Sequence, residues 1–440
     1  MPIQPTPIDH TGGGRTRLVR RLTSLSLILA VALLLRIVFA WNYQHNKPEH
    51  ALGTIPFLFE PGNIAFSLAS GKGFSSPFRV DTGPTAWSSP VYPLLLAGVF
   101  RIFGIYTYQA FLAAVFLNVL FSALTCVPVF FIAKRMGGLA VAGGAAWLWA
   151  VFPNAILLPF ESLREASLSA LLLAAVLWAT LAVADSPRWR AWSGYGLLWG
   201  FALMTNATLA VLLPLLAGWA AYRGRRLAGP AAACAVALLC CVPWSVRNYL
   251  VFHSFIPLRS GFGLQLWMGN NGQPPGRNLG EFHPIYDPHE RALYTQMGEI
   301  EYMRGKQREA IRFMLDHPGT ELRLAASRFI TIWTGGTPQP VADFVRSHSL
   351  RFRGVLIFNT LAALAAWLGM AALYRRRSIY AFPCSVCLLV FPVPFYLTLA
   401  SARYRHPLDP VILLLAALAW GTFRRAVRNP GPKPDAPLPA

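Results

Sequence analysis

The sequence predicts an all-α polytopic membrane protein with about ten transmembrane helices and two large extracytoplasmic loops. Three observations lead there. The 440 residues are 55% hydrophobic and 13% charged, about half the charged share of a soluble domain. The apolar residues fall in runs long enough to cross a bilayer. The charges are also sorted, because alternate loops carry Arg and Lys almost without acid, while the other set carries nearly all the acid. Short loops rich in Lys and Arg stay cytoplasmic. The net charge of +21 is therefore a topology signal. It points to the lipid bilayer as partner and not to nucleic acid.

In chain order, residues 1–21 form a basic cytoplasmic tail with Arg15, Arg17, Arg20 and Arg21. The first span, 22–43, is too long for a signal-peptide core and has no small-residue cleavage site, so it reads as an uncleaved anchor. Residues 44–108 form the first extracytoplasmic loop. Its segment 90–106 is apolar but short, and Arg101 interrupts it. Counting it as a span would put every later Arg-rich turn outside, so it reads as a re-entrant or interfacial helix.

Residues 109–250 hold the bundle, with spans 109–133, 138–160, 163–184, 192–206, 207–222 and 229–250. On the basic side they are separated by Lys134-Arg135, Arg188/Arg190 and Arg223/Arg225/Arg226. The pair 192–206 and 207–222 is short, with Asn206 either at a tight turn or between broken helices. Residues 251–352 form the second outer loop. It begins with a Gly/Asn/Pro-rich stretch (261–288), then a polar helical stretch over 290–315, then an amphipathic stretch over 321–333. There Leu322, Ala325, Ala326 and Phe329 repeat at helical spacing with Arg323 and Arg328 off the stripe, the pattern of a membrane-surface helix. Residues 353–428 add spans 353–374, 379–399 and 407–424, with Arg375–Arg377 and Arg424-Arg425 inside. The tail 429–440 is Pro/Gly-rich and reads as disordered. Both termini are thus expected in the cytoplasm and the chain in the plasma (inner) membrane.

The six cysteines all fall inside spans, which rules out an extracytoplasmic disulfide framework. Cys384 and Cys387 have metal-site spacing but no nearby His, and read as small residues inside a helix bundle.

Candidate chemistry gathers on the outer side. Glu60 precedes Pro61, which suits a helix start, and Gly71 suits its stop. A carboxylate at a helix N-terminus is favoured in its ionised form, and the plain alternative is a capping acid. Asp81, in Val-Asp-Thr-Gly-Pro, is either a second candidate or a turn residue. Glu161, Arg164 and Glu165 lie at the outer end of a helical hairpin, the two acids at i, i+4 on one face. Arg247, Arg403 and Arg405 are outer cations that run against the positive-inside trend. A lipid phosphate would explain them, as would snorkelling, or pairing of Arg405 with Asp409.

The motifs around these residues resemble those of a known family. Ala65, Leu68, Gly71, Gly73 and Phe74 match an A-x-x-L-x-x-G-x-G-F continuation of an acidic first loop. Pro90-Val91-Tyr92-Pro93-Leu94-Leu95 precedes Phe103-Gly104. Pro243-Trp244 leads to Arg247-Asn248, and Arg403-Tyr404-Arg405 to Pro407. In order and sidedness the chain is similar to the C-type (GT-C) polyprenyl-phosphate-dependent membrane glycosyltransferases, in the branch of dolichyl-phosphate-mannose–protein mannosyltransferases and aminoarabinose transferases (glycosyltransferase family 39-like). The family's catalytic base is usually Asp, often with Tyr three residues on. Here Glu60 and Asn63 stand at those positions.

The resemblance implies a sugar moved from a polyprenyl-phosphate donor to a protein, lipid or glycan acceptor on the extracytoplasmic face, with inversion. Glu60 would be the general base, with Asp81 as fallback. Arg247, Arg403 and Arg405 would hold the donor phosphate. Glu161, Glu165, Arg164, Asn63 and Tyr404 would position sugar or acceptor. No cofactor is required, and a divalent metal has no ligand cluster behind it. No P-loop or dinucleotide fingerprint is present. The rival readings are a lipid or polysaccharide transporter or flippase, a polysaccharide polymerase or ligase, and a non-catalytic scaffold. Near-absence of mid-span acids argues against a coupled transporter.

Overall fold

A computed structural model describes residues 23–45, 57–161, 163–186, 188–272, 282–335, 344–347 and 349–428. The basic tail 1–21 and the tail 429–440, read as disordered, lie outside these residues. All named elements are helical. In chain order they are α1 (Leu25–His45), α2 (Glu60–Ala69), α3 (Val91–Phe103), α4 (Tyr108–Leu124), α5 (Cys126–Gly137), α6 (Leu139–Ala150), α7 (Pro153–Glu161), α8 (Ala166–Val183), α9 (Trp189–Thr205), α10 (Leu213–Gly224) and α11 (Ala228–Phe252). There follow α12 (Phe262–Gly269), α13 (Pro288–Met297), α14 (Glu299–Asp316), α15 (Pro318–Thr334), α16 (Leu350–Arg375), α17 (Ala381–Ser385), α18 (Val393–Leu397), α19 (Ala402–Arg405) and α20 (Asp409–Arg428).

Among the described residues, eight helical stretches are long and apolar enough to cross a membrane, and each falls on an expected span. The other two expected spans are shorter or broken. At 192–206 stands α9, with 17 residues. At 379–399 the helix is interrupted by a π-turn over Val386–Val390 and by Pro392, leaving α17 and α18 on either side. Such breaks survive in a membrane only where protein re-satisfies the backbone, and Cys384, Cys387 and Leu388 there are fully enclosed. The segment at 90–106 is the 13-residue helix α3, about 20 Å long and shorter than the hydrocarbon layer. At Asn206 the backbone is extended and its side chain accepts from the Thr208 amide, starting a short 3₁₀ turn before α10.

The polar stretch 290–315 resolves into α13 and α14, divided at Gly298 with φ +76°. The amphipathic stretch becomes α15, but it does not simply lie on a surface. Its Thr331, Ile332 and Trp333 are buried, and it packs on α16 and α18. Arg328, off the apolar stripe, is buried too. It donates to the Gly269 and Tyr396 carbonyls and to Asn270 Oδ1, at 2.5, 3.0 and 2.8 Å. The apolar stripe marks only one of the two faces this helix covers.

Two buried cations lie within the bundle. Arg36 on α1 is fully enclosed. Its guanidinium donates to Ser122 Oγ (2.9 Å) and to the carbonyls of Ala32 (2.8 Å), Ala150 (3.0 Å) and Trp149 (3.2 Å). The last two are carbonyls at the C-terminus of α6. A helix end leaves such acceptors without intrahelical partners, and the negative end of the helix dipole favours a cation. Pro153 restarts the chain as α7 and brings no N–H of its own. Arg405 is also fully enclosed, 3.1 Å from Asp409 at the start of α20, with His406 Nδ1 3.2 Å from the same carboxylate and its ring stacked on Trp149.

Replacing Arg36 by Leu is expected to strip those carbonyls of their donor. Each buried acceptor left unsatisfied costs about 1–3 kcal/mol. A clear fall in the thermal midpoint of the detergent-solubilised protein, partly restored by Arg36→Lys, is the expected result.

Candidate functional site

The candidate site is a cavity of about 200 Å³ between the two long connections and the start of α8. Glu60 enters it from the first turn of α2. Its position there depends on Pro61, which presets the helical φ, and on Gly62, where a Cβ would come within 2.0 Å of the Phe57 carbonyl oxygen. Arg164 and Glu165 come from the turn before α8, Arg403 and Tyr404 from α19. The sequence thus supplied five residues, scattered over more than three hundred positions, that line one pocket.

Glu60 is nearly buried and has two partners. His283 Nε2 lies 3.0 Å from Oε1, and an Arg164 nitrogen 3.7 Å from Oε2. The backbone amide of Ile285 donates to His283 Nδ1 at 3.2 Å. That leaves Nε2 to carry the proton in the neutral ring and to donate it to Glu60. Burial pushes the Glu60 carboxyl up, but the Arg164 charge and the His283 hydrogen bond together outweigh it, and the carboxyl is held well below the usual range. Burial and the neighbouring Arg403 cation push Arg164 down. Its guanidinium also sits 3.7 Å over the Phe59 ring. An Arg403 nitrogen donates to Tyr404 Oη at 2.8 Å, and Tyr404 stacks on Phe395.

The other candidates lie elsewhere. Asp81 is exposed and closes its own turn, accepting from the Gly83 amide (3.2 Å) and Ser76 Oγ (3.1 Å), with Lys72 at 3.5 Å. Arg247 does not line the pocket. It donates to the Phe74 and Thr85 carbonyls, both at 2.7 Å, and so fastens the first outer loop to α11. Arg405 is committed to Asp409, the pairing that the i, i+4 spacing left open. Asn63 is buried and donates to the Pro77 carbonyl at 3.0 Å. Glu161 and Glu165 do not share a helical face. The chain leaves α7 at Glu161 and re-enters helix at Ala166, so Glu161 is exposed while Glu165 lines the pocket.

Sequence reasoning missed His283, Arg259 and Gln265, all in the lining. His283 and Arg259 fall in irregular chain, where no periodicity singles out a residue, and Gln265 lies on the short helix α12. It also missed Glu299, just behind the wall. This carboxylate accepts from Thr85 Oγ1, Ser260 Oγ, the Ala86 amide (2.8 Å) and Tyr294 Oη (2.6 Å). A second buried ion pair, Lys306–Glu290 at 2.8 Å, lies nearby with Lys306 over the Trp267 ring. Among the described residues, no group of three or more His, Cys, Asp or Glu is placed to hold a metal ion.

Residues 87–246 match the family model described as dolichyl-phosphate-mannose-protein mannosyltransferase. Among solved structures, the Archaeoglobus fulgidus oligosaccharyltransferase, in complex with zinc and sulfate, superposes with a TM-score of 0.54 at 14% identity. The match covers 92% of this chain and 49% of that one. The chain shares the fold of that archaeal transferase. The same archaeal protein, AglB, in complex with an inhibitory peptide and a dolichol-phosphate, gives 0.54 at 15% identity over 96% of this chain and 53% of its own. The chain thus spans about half the length of these archaeal structures. ArnT from Cupriavidus metallidurans is 18% identical over 94% of this chain and 81% of its own, with a TM-score of 0.37. No curated protein matches the sequence.

Two predictions follow from this geometry. Glu299→Ala leaves four donors without their acceptor and is expected to destabilise the outer region by about 3 kcal/mol or more, read as a lower melting midpoint and faster proteolysis of the second outer connection. For Glu60, the depressed carboxyl makes its contribution to stability complete above the ordinary value of 4.5 and lost only as pH falls through the lower folded value. Arg164→Gln leaves burial opposed mainly by His283. The acid edge of the melting-temperature profile is expected to move toward neutral pH in that variant.

Proposed function

We propose that this protein is a C-type glycosyltransferase that moves a sugar from a polyprenyl-phosphate donor to an acceptor on the extracytoplasmic face, with Glu60 as general base. The convergence of Glu60 and Arg403 on one outer pocket carries the reading, since a base and a phosphate ligand are the two parts the reaction needs. The pocket lining supports it further: Arg164, Arg259 and Arg403 stand against Glu60 and Glu165, one cation more than acid. A phosphodiester brings one negative charge, and a guanidinium is the fitting fork for it.

In the proposed reaction an acceptor hydroxyl or amine attacks the anomeric carbon from the face opposite the phosphate. Its proton passes to the Glu60 carboxylate. The bond from the anomeric carbon to the phosphate oxygen breaks, and its electron pair leaves with the polyprenyl phosphate. One displacement inverts the anomeric centre. Glu60 is ionised throughout the neutral range, so it is always ready to accept. Its low basicity places proton transfer late, after most of the carbon–oxygen bond to the acceptor has formed. Arg403 and Arg259 would stabilise the charge that develops on the leaving phosphate. Among the three arginines first considered for this role, Arg403 is the one retained.

The Archaeoglobus protein of like fold was solved with a dolichol-phosphate, which supports a lipid-phosphate donor here. The arginine-rich turns at the opposite helix ends support that sidedness. The test is mass spectrometry of polyprenyl-phosphate lipids in a deletion strain complemented with each variant. Accumulation of a polyprenyl-phosphate sugar that wild type clears is the expected result. Glu60→Gln should slow clearance by about 10²-fold or more, and Arg403→Gln should fail likewise, while Asp81→Asn should clear as wild type does. Clearance by Glu60→Gln at the wild-type rate would remove Glu60 as base, and no change in any such lipid would remove the transfer reading.

A further inference from the structure

We propose a second binding site, for the phosphate headgroup of an anionic glycerophospholipid, on the membrane face opposite the Glu60 pocket. It lies where α8 ends and α9 begins, against the turn from α10 into α11. The cavity measures about 940 Å³ and is bordered by Asp185, Trp189, Trp192, Arg223, Arg226 and Gly229 among others. Its place follows from α8, which has Glu165 of the first pocket just before its start and Asp185 just after its end. The 18 residues of that helix span about 27 Å, close to one hydrocarbon thickness. The two cavities therefore belong to different leaflets.

The floor of this cavity is fixed. Trp192 is buried and donates from Nε1 to the Ser186 carbonyl at 3.2 Å. Gly229 lies flat against its indole, where a Cβ would come within 2.5 Å of the ring. The walls carry charge. Asp185 is the single acid in the lining, and it is shared between Arg223 at 3.6 Å and Arg135 at 3.9 Å. Arg226 is exposed in the same lining, and Arg188, Arg190 and Arg225 neighbour the lining residues in sequence.

The rim is apolar. Trp189 is 71% exposed and Leu227 78%. A small soluble anion would satisfy the guanidinium groups and leave that rim wet. A phospholipid satisfies both, with its phosphate on Arg223 and Arg226 and its glycerol and upper acyl carbons along Trp189 and Leu227. Basic pockets between transmembrane helices take anionic headgroups in this way, and an indole at the membrane interface suits that depth.

The test uses the full chain, purified free of phospholipid and titrated in native mass spectrometry with phosphatidylglycerol or phosphatidylcholine. Wild type should retain phosphatidylglycerol in preference. Arg226→Gln should reduce that retention by about five-fold, and Arg223→Gln with Arg226→Gln further, since each surface cation is worth about that much. Retention of phosphatidylcholine should not change, and Trp189→Ala should weaken both lipids. Should the double variant not fold, Arg226→Gln decides alone, because Arg226 lies outside the Asp185 ion pairs. Glu60→Gln should retain lipid as wild type does, which separates this proposal from the transfer reaction. Equal retention of phosphatidylglycerol by wild type and a well-folded Arg226→Gln overturns the site. Full displacement by inorganic phosphate at about 10 mM overturns the lipid in favour of a soluble anion.

Discussion

The Glu299 carboxylate ties together two long stretches of chain that the membrane itself does not hold. Thr85 and Ala86 come from the first outer connection, Ser260 and Tyr294 from the second, and all four donate to it. Trp87 follows Ala86 directly and Arg259 precedes Ser260, so both pocket residues inherit their positions from this one acceptor. Hydrogen bonds to a buried carboxylate are among the stronger ones in a protein. From the bundle side, Arg247 grips the same segment through the Thr85 carbonyl. The outer walls are thus held at one point from behind and from below.

Within the bundle, polar groups are accommodated in two different ways. Arg405 has an acid close at hand and shares it with His406. Arg36 has only neutral acceptors, and these exist because a helix stops there. An isolated charge at that depth is expensive, so each arrangement fixes a geometry. One ties the start of α20 to Trp149, and the other ties α1 to the break between α6 and α7.

Most of the helical architecture was legible because its cause is local. Apolar runs and the placement of arginines report a bilayer directly, and each of the eight long spans was marked by them. The pocket was legible in part. Glu60 announced itself through Pro61 and the helix start, and Arg403 through its place against the charge trend. Arg247 and Arg405 sent the same signal, yet the sequence cannot say whether a cation faces a cavity or a neighbouring carbonyl. Glu161 and Glu165 were separated by a turn that periodicity does not see. His283 was invisible because it sits outside any helix, and its meaning comes from a partner 223 positions away. Glu299 lay unremarked inside the polar helical stretch 290–315, because its donors Thr85 and Ala86 are more than two hundred positions away.

The capping of α6 by Arg36 also constrains how the protein is made. The first helix enters the bilayer with a guanidinium in its middle, and the carbonyls that receive it lie 113 and 114 residues further along the chain. Until the third long helix has been synthesised, that charge has only the Ala32 carbonyl of its own helix and the Ser122 hydroxyl of the second. A central arginine costs a single helix about 2.5–3.5 kcal/mol on insertion scales. The first span is therefore held in the membrane at first by its leucines and by the basic tail ahead of it. It becomes settled only when the hairpin containing Trp149 arrives, so assembly of this bundle runs through a state in which three helices must meet before the first is secure.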